Sequence, residues 1–197
     1  VVLSIGNFDG VHRGHQAILQ AGRQRARASG AELVAMTFDP HPLAVLTPER
    51  MPSILTPLSE KLAQLDRAGA DVTVIADSSV GLLQVSAADF IENVIVQRFR
   101  PLTVVEGPSF GFGRHREGDV ETLQRAGARH GFEVQVVEPV RIALGGHPDA
   151  VISSSLVRQL LAAGPVDQAA ICLGRPYALL GSVIHGAGRG AGMGFPT

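Results

Sequence analysis

The sequence predicts an α/β fold in which a parallel sheet is covered by helices on both faces. Short β-branched apolar runs alternate with longer stretches of helical periodicity. The short runs are apolar nearly throughout, as strands buried on both faces must be. The order strand, helix, strand recurs along most of the chain, and crossovers of that length join parallel strands.

The elements follow in order. Val1 to Gly6 reads as a strand, and Gly14 to Ser29 as a helix closed by Gly30. Glu32 to Phe38 is the next strand, stopped by Pro40 and Pro42. Ser59 to Ala68 is helical, with Leu58, Leu62 and Leu65 on one face. Asp71 to Ala76 is a strand, and Ser86 with Asp89 forms a capping box opening a helix to about Arg100. Leu102 to Val105 and Glu133 to Val137 are strands flanking a helix over Asp119 to His130. Ser153 to Ala163 is a last short helix. Beyond Gly174 the pattern changes: Tyr177 to His185 reads as a strand, and Gly186 to Gly194 is glycine-rich. A domain boundary is placed at Ala170 to Arg175, giving one domain over 1–172 and the start of another over 173–197.

Composition bounds the function. Apolar residues make up 45% of the 197, enough for a packed core, and the formal net charge is −1. A nucleic-acid or membrane partner would need a local basic patch, so neither is expected. Cys172 is the one cysteine, which excludes an internal disulfide and a multi-cysteine zinc site. It agrees with a reducing, cytoplasmic setting. No apolar run approaches the roughly 18 residues of a membrane span. The abrupt ends at Val1 and Thr197 read as those of a piece trimmed at both sides.

In parallel α/β sheets ligands bind outside the carboxyl ends of the strands. That places Gly6 to Gly10, Asp39 to Pro42 and Glu106 to Gly113 along one crevice. The first loop continues as Val11-His12-Arg13-Gly14-His15, where a helix begins. Unpaired N–H groups at a helix start favour anions. Two imidazoles three residues apart face one side there and can donate to phosphate oxygens, while Gly14 lets phosphates approach the backbone. Ser153, Ser154 and Ser155 open another helix, where hydroxyls both cap and donate. Arg158, one turn on, brings a planar fork suited to phosphate.

His12-Arg13-Gly14-His15 resembles the signature of the nucleotidyltransferase superfamily, and Gly6 to Gln16 as a whole resembles bacterial FAD synthetases. Thr37-Phe38-Asp39-Pro40-His41-Pro42 and Ile152 to Arg158 resemble two further motifs of that family. The resemblance implies a Rossmann-like sheet of the nucleotidyltransferase type, followed by the first strands of a β-barrel kinase domain. It implies transfer of AMP from ATP to FMN, giving FAD, with Mg2+ carried on the ATP phosphates. His12, His15 and Arg158 would serve the phosphates and the transition state. Gly6, Asn7, Phe8, Gly14 and the three serines would line the ATP site. Asp9 would either touch the metal or fix its own turn through an Asx bond.

Phe110-Gly111-Phe112-Gly113-Arg114 resembles the family's flavin loop, but Ser109 stands where Asp or Asn is usual. With His41 and Pro42, the residues Ser109, Phe110 and Phe112 would hold the flavin, the aromatic rings as an apolar wall. Leu173 to Thr197 resembles the linker and opening strands of a riboflavin kinase, in which Thr197 would help hold metal. The full-length protein would then also phosphorylate riboflavin. Other transferases of the superfamily, with cytidylyl or pantetheine-phosphate substrates, a class I tRNA synthetase and a non-catalytic flavin-binding regulatory module stay open as alternatives. A zinc site at His12, His15 and His41 is a further alternative, though its spacing lacks the support of a helix-borne pair with a general base. The oligomeric state is not legible.

Overall fold

The computed structural model describes residues 1–145, 147–184, 189 and 194. Strand β1 (Val2–Ile5) enters α1 (Arg13–Ser29), and β2 (Leu33–Asp39) leads to the short α2 (Pro42–Leu46). Helix α3 (Leu58–Arg67) precedes β3 (Val72–Asp77) and the single turn α4 (Val80–Leu83). The turn α5 (Ala87–Asp89) runs on as a π-helix over Phe90–Phe99. Strand β4 (Thr103–Glu106) is followed by a small flap, β5 (Gly111–Phe112) paired with β6 (Gly118–Asp119), then α6 (Val120–His130) and β7 (Glu133–Val136). A hairpin of β8 (Arg141–Leu144) and β9 (His147–Val151) and the helices α7 (Ser154–Ala163) and α8 (Val166–Leu173) complete the fold.

The main sheet has the order β3-β2-β1-β4-β7, with the pairs between these strands all parallel. The expected α/β class and parallel sheet are what the structure contains. The capping logic holds as well: Ser86 Oγ accepts from Asp89 N, and Gly30 takes a left-handed φ of 63° to close α1. One face of the sheet packs Val2, Leu33, Ala35 and Val105 against Leu19 and Ala26 of α1 and Leu65 of α3. The other packs Leu3, Ile5, Met36 and Val104 against Phe90, Ile91 and Ile95 of the π-helix and Leu123 of α6. A third cluster joins α7, α8 and the hairpin through Val157, Cys172, Leu173 and Leu144, with Leu55 from the segment before α3. Burial of this kind, at about 25 cal/mol per Å2 of apolar surface, is the main force holding the layers together.

The strand expected from Tyr177 is corrected by the structure. Residues 176–184 carry no strand, and Leu179 and Val183 are 85% and 103% exposed. A β-branched run without a partner strand leaves its backbone groups to water, so local propensity alone does not make it a strand. The described residues therefore contain no barrel strands; His185 and most of the glycine-rich stretch, with Thr197, lie outside them. No helix among the described residues is long and apolar enough to cross a membrane.

Candidate active site

The sheet reverses its winding between β1 and β4, so a crevice opens at their carboxyl ends, where β2 also ends. The three loops expected there leave adjacent strands. Gly6 N–H still donates to Met36 O at 3.0 Å, and the chain then turns through Phe8, Gly10 and Val11, with φ values of 48°, 86° and 38°. Left-handed backbone at the non-glycine residues Phe8 and Val11 is costly, and both side chains are buried tightly enough to enforce it.

His12 is the N-cap of α1. Its Nδ1 accepts from His15 N–H at 3.3 Å, so in the neutral ring Nε2 carries the hydrogen. The two imidazoles stack, centroids 3.7 Å apart and 19° from parallel, and Phe8 meets His15 edge-on at 5.3 Å. Burial pushes the His12 pKa down to about 4, against the pull of the Asp9 carboxylate. Burial, and then the neighbouring His12, hold His15 well below the ordinary range. His15 Nδ1 is buried without a hydrogen-bond partner. The pair is thus two neutral rings at a helix start. A Cβ on Gly14 would lie 3.1 Å from the His12 ring and 3.4 Å from Ile152 O. The glycine is therefore needed for ring packing and for bringing the start of α7 against the start of α1.

At α7, Ser153 Oγ accepts from Leu156 N–H at 3.2 Å as the N-cap, and Ser154 Oγ donates to Asp9 O at 2.8 Å. Ser155 is exposed. The expectation of three donating hydroxyls is reduced: Ser154 has spent its hydrogen on the first loop, while Ser153 keeps its own. Asp9 is buried, and its carboxylate accepts from Leu55 N–H (3.0 and 3.1 Å) and Thr56 N–H (3.1 Å) and pairs with Arg158. Arg158 Nε also donates to Ser53 O at 2.7 Å. The Asx bond expected of Asp9 is not what these contacts show: its oxygens hold a distant segment rather than its own turn. Among the described residues no three His, Cys, Asp or Glu side chains group to hold a metal ion.

His41 caps α2 through Nδ1, which accepts from Leu43 N–H at 3.2 Å, and its Nε2 lies 3.3 Å from the Asn7 side-chain amide. With Nδ1 an acceptor, the hydrogen sits on Nε2, and the Asn7 amide oxygen belongs opposite it. Pro42 is the first residue of α2, where a missing N–H costs nothing. In the flap, Phe110 is half-buried and stacks on Phe112 at 5.3 Å. Phe112 itself is buried against Phe90, so the aromatic wall available to a ligand is Phe110, with Phe112 behind it as core. Ser109 is exposed, and its carbonyl accepts from Arg116 Nη2 at 2.9 Å.

Sequence reasoning assigned no role to Lys61 or to the Arg175 side chain, and placed Glu106 in the crevice loop without its burial. Lys61 is buried in α3 with Nζ donating to Phe38 O at 3.0 Å. Glu106 ends β4 fully buried, its pKa raised well above the carboxylate range by burial, and takes a bond from Ile5 N–H. Arg175 Nη2 donates to Gly10 O at 2.9 Å, fastening the chain after α8 to the first loop. A charged residue inside an otherwise apolar run, as at Glu106, is the one signal the sequence carried.

Residues 1–155 match the FAD synthetase family. The chain belongs to that family. Among curated relatives it is 38% identical over 196 residues to a bifunctional riboflavin kinase/FMN adenylyltransferase from Escherichia coli strain K12, covering 100% of this chain and 61% of the relative. A protein of the same description from Bacillus subtilis strain 168 is 34% identical over 202 residues, again with 100% of this chain and 60% of the relative covered. This FAD synthetase family chain thus spans less than two thirds of the length of the relatives it matches. The crystal structure of a macrolide-efflux protein from Streptococcus pneumoniae superposes with a TM-score of 0.84 at 28% identity, over 99% of this chain and 62% of that one.

Proposed function

We propose that residues 1–172 transfer the AMP moiety of ATP to the phosphate of FMN, releasing pyrophosphate and FAD. The observation that carries this is the stacked, neutral His12–His15 pair at the start of α1, facing the start of α7 in the crevice of an FAD synthetase family sheet. An FMN phosphate oxygen attacks the α-phosphorus in line, and the bond to the bridging oxygen of the departing pyrophosphate breaks. Charge grows on the phosphoryl oxygens, and donors already fixed in a desolvated site stabilise it without reorganising. His12 Nε2–H is such a donor, oriented because the other nitrogen is tied to the helix. Gly6, Asn7 and Phe8 form the floor. The hydroxyls of Ser153 and Ser155 and the remaining guanidinium edge of Arg158 face the pyrophosphate. His41, Pro42, Ser109 and Phe110 take the flavin.

Mg2+ fits as a companion of ATP. The described residues offer no carboxylate cage, and an ion that keeps most of its ligands as water and phosphate needs none; it would supply charge neutralisation there. The kinase function in the names of the relatives belongs to the longer protein, with residues 173–197 as its opening and riboflavin as its substrate. The setting is the cytoplasm. Incubation with FMN and ATP followed by chromatography of the flavins tests the assignment. FAD above a protein-free control supports it, and consumption of CTP or another acceptor in its place overturns it.

A further inference from the structure

Lys61 is the one lysine of the chain, and the reaction described above makes no use of it. It lies on α3, 7% exposed, and reaches to the carboxyl ends of two strands at once. Nζ donates to Phe38 O at 3.0 Å, where β2 runs out towards His41, and to Asn7 O at 3.4 Å, where β1 has become the loop leading to His12. Thr37 Oγ1 donates to the same Asn7 carbonyl at 3.1 Å. Carbonyls leaving a sheet must find donors elsewhere, and here one ammonium serves one from each loop. The helix carrying it is itself held from the site: Asp9 accepts from Leu55 and Thr56, just before α3, and Arg158 bonds Ser53 O.

We propose that Lys61 is a positioning residue for adenylyl transfer, fixing the spacing between the loop that carries Asn7 and the histidine pair and the loop that carries His41. This rests on the proposed function. Burying an ammonium is costly, and a structural brace alone could be built from an uncharged side chain. A point charge with rotatable donors can hold two carbonyls of different strands while leaving a positive potential beneath a crevice for phosphates. Burial lowers the Lys61 pKa, and Asp39 and Asp9 oppose that by favouring the ammonium.

The test compares wild type with Lys61→Met and Lys61→Arg, scoring kcat and the KM for FMN per folded molecule, with melting curves and calorimetric affinities for ATP and FMN. Loss of spacing between the loops predicts that Lys61→Met lowers kcat at least tenfold and weakens FMN more than ATP. Lys61→Arg, which keeps charge and donors, recovers most of the loss even where it melts no higher than the Met variant. A purely structural role would lower melting in both variants and leave kcat and both affinities per folded molecule within twofold of wild type, and that result overturns the proposal. If Lys61→Met does not fold, Lys61→Gln, which keeps one donor without the charge, takes its place: at least a tenfold loss of kcat with weakened FMN binding per folded molecule supports the proposal, and kcat and both affinities within twofold of wild type overturn it. Absence of FAD from wild type contradicts the activity instead, and the FMN and ATP affinities still read the loop spacing.

Discussion

His12 spends one imidazole nitrogen on the helix it opens and keeps the other for a ligand. That division makes its removal a matter of rate more than of binding. His12→Ala and His15→Ala are each expected to lower kcat by about 10²–10³-fold, the usual value of one fixed donor to transition-state charge, with the Kd for ATP little changed. Stopped-time FAD assays beside calorimetry check this, and near wild-type kcat in either variant contradicts the assignment. Burial also gives His12 a pH signature. The unfolded chain takes up this proton near pH 6.5, the folded chain only near 4. Between those values the unfolded state binds more protons, so stability falls as pH drops from about 7 to 4 and levels off below. The loss attributable to His12 between pH 7 and the plateau is about 3 kcal/mol. Urea titrations at pH 7, 5 and 4 measure it; His12→Asn, which keeps an N-cap acceptor without titrating, should flatten the fall.

Among the elements, the flap of β5 and β6 follows the residue, Ser109, at which the sequence differs from the motif it resembles. Ser109 is exposed and has one short hydroxyl; Arg116 bonds its carbonyl, and the neighbouring half-buried Phe110 stacks on Phe112. Ser109→Asn adds a longer amide with two donors and an acceptor. One further neutral hydrogen bond is worth about 0.5–1.5 kcal/mol, or roughly 2- to 12-fold in FMN affinity, with that for ATP unchanged. Fluorescence titration of FMN reads this, and equal or weaker binding removes Ser109 from the flavin site. Elements that announce themselves locally were legible in the sequence: Ser86, Asp119 and Gly30 mark helix ends that the structure keeps. Elements that depend on a partner were not. The hairpin of β8 and β9 is hidden by Pro148, which argues against a strand yet is tolerated where both strands are edges. Helix α8 follows directly on the Gly164-Pro165 break and gains its stability from the cluster around Cys172. The run at Val183 misleads in the other direction, since its propensity has nothing to pair with. At the site, the histidine pair was visible because its spacing is local. Lys61 and the Asp9–Arg158 pair were not, since they join residues 23 to 149 positions apart.

Across the whole molecule, one sheet aims three loops at one crevice, and α7 and the segment after α8 close it from the far end of the sequence. Binding groups drawn from β1, β2, β4 and α7 can act together only if the layers stay packed. The two faces of the sheet are accordingly the two largest buried clusters. Such a site does little covalent work and much alignment, so the fate of each ATP phosphorus is its most direct readout. The deciding measurement is a pair of incubations with FMN and Mg2+, one with ATP labelled at the α-phosphorus and one at the γ-phosphorus. The account predicts α-label in FAD and γ-label in pyrophosphate, in equal amounts. Label from the γ-phosphorus on the flavin, or α-label recovered as ADP or AMP with no labelled FAD, would contradict it.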